Sequence, residues 1–322
     1  SAFDLALHDA YGVLHGVPRV KDNGCNPDIP EEDRYKSLTH GRMLHGVQFV
    51  DEEMRRFPTT YYVEYSGAGL ALKWRNRNPD DFDLDQVVVN DIVLEDHEES
   101  PRDKPIRVGV VGLGTGTVAH YAVRGDFFCF YDINPRVIEL SGPDGTEFTY
   151  LKDARDRGAE ITARLTMVRQ DPQDYDVIIL DAFSSDAIPV HLLTIEAFEI
   201  YRRHLKPDGI LAVHISNRYF DLRPVVEGNA DELGMHSIDI LYHVPDEDQW
   251  GNEFIDAFER SESDWVLVSP SSTGLSSWIL QQSASEPQPK RIVWTDTRNN
   301  LLQVMLDDPP HIELWNWLKD QW

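Results

Sequence analysis

Residues 107–117 read RVGVVGLGTGT. Arg107 to Val111 is a short apolar run of the kind that forms a buried strand, and it leads straight into Gly112, Gly114 and Gly116, with a helix expected after them. Glycines at that place let the backbone turn sharply and approach a ligand closely. A dinucleotide fingerprint needs GxGxxG, but the residue after Gly116 is Thr117, so the motif is GxGxG and is a weak signal alone. It gains weight from Phe128-Cys129-Phe130-Tyr131-Asp132, which reads as the next strand with an acid at its end, 20 residues after Gly112. A carboxylate there can accept both hydroxyls of an adenosine ribose. Its bland alternative is to cap the helix that starts at Pro135.

Outward from this stretch the rhythm is strand, helix, strand. Strands are expected near 106–111, 127–131, 159–162, 175–181, 209–215, 236–242 and 264–268, and helices near 116–124, 134–141, 149–157, 191–205 and 220–234. Such alternation implies a parallel sheet covered on both faces. Leu205-Lys206-Pro207-Asp208-Gly209 reads as a helix-to-strand turn. Three regions follow. Residues 1–75 carry short β-like pieces and form a small β-rich module of hairpins, 76–105 are an acidic insertion with a hairpin at 86–94, and 106–322 are the nucleoside-binding domain. Trp315, Trp317 and Leu318 are expected in a short terminal helix.

The 322 residues are enough for a full α/β domain plus a smaller one. Hydrophobic residues at 41% and charged ones at 27% fit a soluble globular chain. No apolar run approaches the roughly 20 residues of a membrane helix, and the start lacks the basic and apolar regions of a signal peptide. Cys25 and Cys129 form no disulfide framework, so a reducing, cytoplasmic setting is expected. The formal charge of −26, from 30 basic and 56 acidic residues, excludes a nucleic-acid partner, whose phosphates demand a basic face. It permits a cationic substrate drawn to an acidic cleft, and equally an acidic excess that serves only solubility or salt tolerance, since the acids are spread along the chain.

The second informative stretch is LDAFSSDAIPVHLLT, residues 180–194, after the apolar strand Asp176-Val-Ile-Ile179. Asp181 and Asp186 bracket a small polar turn. Asp186 before Ile188-Pro189 is open to reading as a helix cap. Two acids at the carboxyl end of a parallel strand are also where open α/β sheets bind ligands. Ser184-Ser185 with His191 suggests a hydrolase, but no GxSxG elbow is present. His40 and His45 are five apart and lack the spacing of a helical zinc pair, so no metal is expected.

GxGxG with the acid at Asp132 resembles the nucleoside loop of class I S-adenosylmethionine-dependent enzymes. Over nearly the whole chain the sequence resembles spermidine synthase-type aminopropyltransferases, and most of all the soluble domain of homologues fused to membrane transporters. The motifs are LTHGRMLHGVQF (38–49), PTTYY (58–62), SGAGLAL (66–72), GLGTGT (112–117), DAFSSDAIPVHLLT (181–194), HISNRYFDL (214–222) and WTDTRNNLL (294–302). The resemblance implies a β-rich N-terminal module on a class I methyltransferase-like, Rossmann-like domain. It also implies a homodimer or larger assembly and no membrane insertion by this chain.

The resemblance also implies roles. Asp181 matches the acid that takes a proton from the attacking amine, and Asp186 the second acid of that loop. Asp132 matches the ribose acid. Gly112, Leu113, Gly114, Thr115 and Gly116 match the nucleoside loop, and Gln48 a glutamine on the nucleoside. Tyr61 or Tyr62 matches the aromatic that packs on a polyamine chain. His214, by its place at the end of the fifth strand, is open to two readings, a residue lining the pocket and a satisfied hydrogen-bonding histidine. Two acids of the family are missing. Its glycine loop, GGGDGG, has an acid where Thr115 stands. Its adenine-side Gly-Asp-Ala falls by spacing on Thr162-Ala163, 19 residues before Asp181, not on Asp153-Ala154-Arg155, 28 before it. Three functions therefore remain: transfer of an aminopropyl group from decarboxylated S-adenosylmethionine to an amine, methyl transfer from or cleavage of intact S-adenosylmethionine, and nucleoside or polyamine binding without turnover. On the charge balance, the protein should show no DNA or RNA binding at about 150 mM salt. A band shift there would overturn the exclusion.

Overall fold

Apolar runs without polar alternation need cover on both faces. In the computed structural model they obtain it in one large sheet. The structure describes residues 19–22, 34–40, 43–73, 104–167, 171–182, 189–217, 219–242, 262–286 and 289–306. The expected hairpin at 86–94, Asp186 with residues 183–188, Cys25 and the terminal aromatics all lie outside the described residues.

Arg19–Asp22 (β1), Tyr35–His40 (β2) and Met43–Phe49 (β3) form an antiparallel sheet in that order. The large sheet comprises Arg107–Val111 (β4), Phe127–Tyr131 (β5), Glu160–Arg164 (β6), Tyr175–Leu180 (β7), Leu205–His214 (β8), His236–Tyr242 (β9) and Ser263–Ser269 (β10). Its order is β6-β5-β4-β7-β8-β10-β9. β4 to β8 run parallel, and β10 lies antiparallel between β8 and β9. This is the class I methyltransferase-like, Rossmann-like arrangement, with a small N-terminal β-sheet beside it. The chain leaves β4 on one side for β5 and returns on its other side as β7, so ligands belong at the carboxyl ends of β4 and β7.

Every residue of β7 is buried. Val177 and Ile179 join Val108 and Val110 in one core, while Ile178 and Leu180 join Val111 and Tyr131 in the other. The amino ends of the strands are fastened by buried acids. Asp126 accepts the Ile106 and Val123 amides at 2.8 and 3.1 Å. Asp176 accepts the Arg107 amide at 2.8 Å and the Lys206 ammonium at 2.9 and 2.8 Å. Pairing a buried carboxylate with several donors offsets the cost of removing it from water.

The sequence expectations need three corrections. The helix expected at 116–124 is a short 3-10 turn, Thr117–Tyr121. Too little chain separates Gly116 from β5 for a longer helix and its turns. Lys206-Pro207-Asp208-Gly209 does not precede its strand. It bulges within it, the register against β7 slipping between the Tyr175–Leu205 and Val177–Ile210 pairs. SGAGLAL, placed within a β-rich module, forms the helix Gly67–Lys73 (α1), buried from Gly67 to Leu72 in the core of the large sheet. Elsewhere Pro135–Ser141 (α2), Tyr150–Asp156 (α3), Ile195–His204 (α4) and Arg223–Glu232 (α5) follow the expected alternation.

Small residues let α1 approach β10. A Cβ on Gly67 would stand 2.3 Å from Cβ of Trp265. In a free helix Gly→Ala stabilises by about 0.5–1 kcal/mol. Gly67→Ala should instead destabilise by about 1–3 kcal/mol through overpacking, read as a lower urea midpoint at unchanged slope. A raised midpoint would contradict the packing.

Candidate active site at the carboxyl ends of β4, β5 and β7

The three strand tips are tied to one another by backbone hydrogen bonds. Gly112 N donates to Tyr131 O at 2.8 Å, and Asp181 N to Val111 O at 2.9 Å. Gly112 has φ 101°, a region few side chains enter, and a Cβ there would stand 1.9 Å from Asp181 O. Gly114 has φ 52°, and its Cβ would stand 2.6 Å from His45 O. The glycines are thus required first by the protein's own packing: Gly112 admits the Asp181 carbonyl, and Gly114 admits β3. Thr115 N donates to His45 O at 3.3 Å. The Thr115 side chain is buried against Gly46, its hydroxyl 2.9 Å from that of Thr117. It does not stand open in the loop as a replacement for a ligand-gripping acid would.

Asp132 follows β5. Its Oδ2 accepts the Leu113 amide at 3.1 Å and its Oδ1 the Asn134 amide at 2.8 Å. The cap of α2 is Asn134, whose Oδ1 accepts the Arg136 amide at 3.0 Å. Asp132 is therefore not the cap. It fastens the glycine loop and keeps lone pairs over. Burial pushes its carboxyl up to about 6, against the lowering by its two backbone bonds.

Two expected nucleoside contacts are placed differently. Thr162 and Ala163 pair with Cys129 and Phe130 inside β6, short of the strand tip. The strand continues to Arg164, whose carbonyl accepts the Asp132 amide at 3.0 Å. Thr162 Oγ1 is buried without a partner. The residue beyond the tip beside Asp132 is Leu165, exposed at 56%. Asp153, the rival by letters, lies in α3 and binds Thr149 and Arg55. Gln48, at 4% exposure, uses its amide within the protein: its Nε2 donates to Arg55 O and Thr149 Oγ1, both at 3.0 Å, and its Oε1 accepts the Thr149 amide at 2.8 Å. A nucleoside contact by the Gln48 Nε2 would have to displace one of these.

Asp181 is the centre of the site. Its side chain is 7% exposed. Oδ1 lies 2.8 Å from His214 Nδ1, and Oδ2 accepts the Tyr62 hydroxyl. Burial alone would raise the carboxyl, but His214 and the hydrogen bonds from His214, Tyr62 and Tyr61 outweigh it and hold Asp181 below the ordinary carboxylate range. Burial, with the Asp181 charge beside them, pushes both tyrosines well up, so they keep their protons. Thr60, a β-branched residue at φ 60°, is what turns the chain to present both rings. That strain persists because its surroundings fix it. The Thr59 hydroxyl donates to Val47 O at 2.7 Å, the Tyr150 hydroxyl to Phe57 O at 2.8 Å, and the Tyr121 hydroxyl to Tyr62 O.

The structure thus brings Gly112, Leu113, Asp132 and Asp181 together at the tied strand ends, and Tyr61, Tyr62 and His214 around Asp181. Ser216 and Trp265 were missed. Ser216 carried a faint signal, two residues after a strand-end histidine. Trp265 sits in an apolar strand and carried none. Among the described residues no group of three or more His, Cys, Asp or Glu could hold a metal ion, and no helix is long and apolar enough to cross a membrane.

No family model and no curated protein matches the chain. Among solved structures, it is similar to a probable spermidine synthase from Corynebacterium glutamicum, at 14% identity over 79% of this chain and 77% of that one, TM-score 0.44. It is similar to spermidine synthase from Thermotoga maritima at 15% identity, over 84% and 85% of the two chains, TM-score 0.39. A precorrin-6y C5,15-methyltransferase from Geobacter metallireducens GS-15 gives 12% identity over 51% and 80%, TM-score 0.34.

The Asp132 environment makes stability pH-dependent in a definite direction. A carboxyl raised from 3.8 to about 6 in the folded state binds its proton more tightly there than in the unfolded chain. Its contribution is full below the unfolded value and is lost as pH rises to about 6. Asp132→Asn should remove about 1–3 kcal/mol of that slope between about pH 4 and 6, measured as unfolding free energy against pH. An unchanged slope would refute the assignment.

Proposed function

We propose that the chain is a spermidine synthase-like aminopropyltransferase. It would move an aminopropyl group from a decarboxylated S-adenosylmethionine-type sulfonium donor to an amine. The observation that carries this reading is Asp181, whose backbone carbonyl packs against Gly112 of the glycine loop and whose ionised carboxylate is faced by two tyrosines that keep their protons. Asp132, fastened to the glycine loop through the Leu113 amide, offers a seat for the nucleoside.

An alkylamine titrates near about 10.4 and arrives as ammonium. Asp181 holds that cation in a buried site and accepts one of its protons. The freed nitrogen lone pair then forms a bond to the carbon next to the sulfonium while the C–S bond breaks. Its electrons go to sulfur, leaving a neutral thioether and a secondary ammonium. Alignment can contribute roughly 7–11 kcal/mol and the positioned base about 10²–10⁴ in rate. Tyr61 and Tyr62 orient the carboxylate as donors and narrow the slot for an extended aliphatic chain. In this reading the acceptor is a diamine or polyamine.

One observation favours a second reading, methyl transfer from intact S-adenosylmethionine. The glycine loop has Thr115 in place of an acid, and that side chain is turned beneath Gly46. No carboxylate of the loop would repel the methionine carboxylate.

Wild type should be assayed with both donors, with diamines and with no acceptor, and products identified by mass spectrometry. Methylthioadenosine supports the first reading, S-adenosylhomocysteine the second. In Asp181→Asn, turnover should fall by roughly 10²-fold or more while methylthioadenosine affinity stays within a few-fold. Full activity in that variant would remove the base assignment.

A further inference from the structure

The imidazole of His214 was expected to line the acceptor pocket, and the structure gives it different work. It is 7% exposed and lies in a stack, 4.4 Å from the Tyr61 ring centroid at 22° and 4.7 Å from that of Trp265 at 25°. Both ring faces are covered. Both nitrogens are engaged as well, Nδ1 with Asp181 Oδ1 at 2.8 Å and Nε2 with Ser216 Oγ at 2.9 Å. Ser216 Oγ in turn accepts the Asp264 amide of β10 at 2.8 Å.

We propose that His214 is a positioning residue for Asp181: its Nδ1–H fixes the carboxylate's orientation, and Ser216 fixes the tautomer that makes this possible. The inference rests on the aminopropyl-transfer reading for its catalytic consequence. An ionised carboxylate can only accept, so Nδ1 carries the proton. When the ring is neutral, that tautomer accepts at Nε2, and there the Ser216 hydroxyl donates. The Asp264 amide occupies a lone pair of Ser216 Oγ and holds that hydroxyl in place. The result is a chain of polar contacts from the backbone of β10, through Ser216 and His214, to Asp181. With Tyr62 on the other oxygen, the carboxylate is held from two directions. Neither His214 nitrogen is left over for a substrate.

The ring also fills the space between Tyr61 and Trp265, so packing and hydrogen bonding must be separated. His214→Phe keeps a ring in the stack and removes the donor. His214→Asn keeps a donor near the Nδ1 position and gives up the stack. In His214→Phe, kcat should fall about 30–100-fold with the donor KM within a few-fold, the scale of loss when a reacting group is misplaced. His214→Asn should restore most of that loss despite poorer packing, and Ser216→Ala should fall between. Carbon-13 titration of the Asp181 carboxyl, without any substrate, reads the same contact: Asp181 should stay ionised to lower pH in wild type and His214→Asn than in His214→Phe. If His214→Phe is the more active of the two variants, or the carboxyl titrates alike in all, His214 is packing and the inference fails. If wild type turns over no donor, the functional reading fails and the carboxyl titration still decides the role of His214.

Discussion

The structure turns on one close approach. β4 and β7 are neighbours, and at their carboxyl ends Gly112 lets the Asp181 carbonyl come where a side chain would otherwise stand. That contact brings the first residue of the glycine loop against the acid proposed for catalysis. The loop's next amide, of Leu113, reaches Asp132 on the other side. Three strand ends therefore converge on one glycine. A side chain at Gly112 would meet the Asp181 carbonyl and displace the residue that carries the second acid.

The opposite end of the sheet is held as firmly. Asp126 and Asp176 fasten the starts of β4, β5, β7 and β8 with backbone and lysine donors. The strands are thus fixed at their amino ends as well as at the tied carboxyl ends. Polar groups do the holding at both ends, and the apolar middle supplies most of the burial free energy. Asp181 differs from the two structural acids in its partners, which are a histidine and tyrosines rather than lysine and backbone alone.

Much of this was legible in the chain. Strand-end acids and the three glycines could be read because each occupies a place where an apolar run stops, and burial on both faces enforces such runs. What could not be read depended on contacts distant in sequence. Gly46 and Thr115 meet only because β3 crosses the loop, so nothing local distinguished an exposed threonine from a covered one. Gln48 has the residue type for a ligand contact, but Thr149, far along the chain, takes it up. Thr162 was misplaced by register: spacing to Asp181 counts residues along the chain and does not say how far β6 runs beside β5. SGAGLAL looked like part of a β module because small residues are poor indicators by themselves. Only the nearness of Trp265 shows why a helix needs them.

The crossing of β3 over the glycine loop also bears on how this chain tolerates length. His45 and Thr115 touch across a span of about 70 residues, which folding must close before the site exists. The entropy lost in closing a loop grows only with the logarithm of its length. Carrying the acidic stretch 76–105 within that span thus costs about 0.5 kcal/mol more than a span lacking it. An insertion can therefore be gained, lost or rewritten there at almost no thermodynamic expense, provided that both edges of the loop still meet.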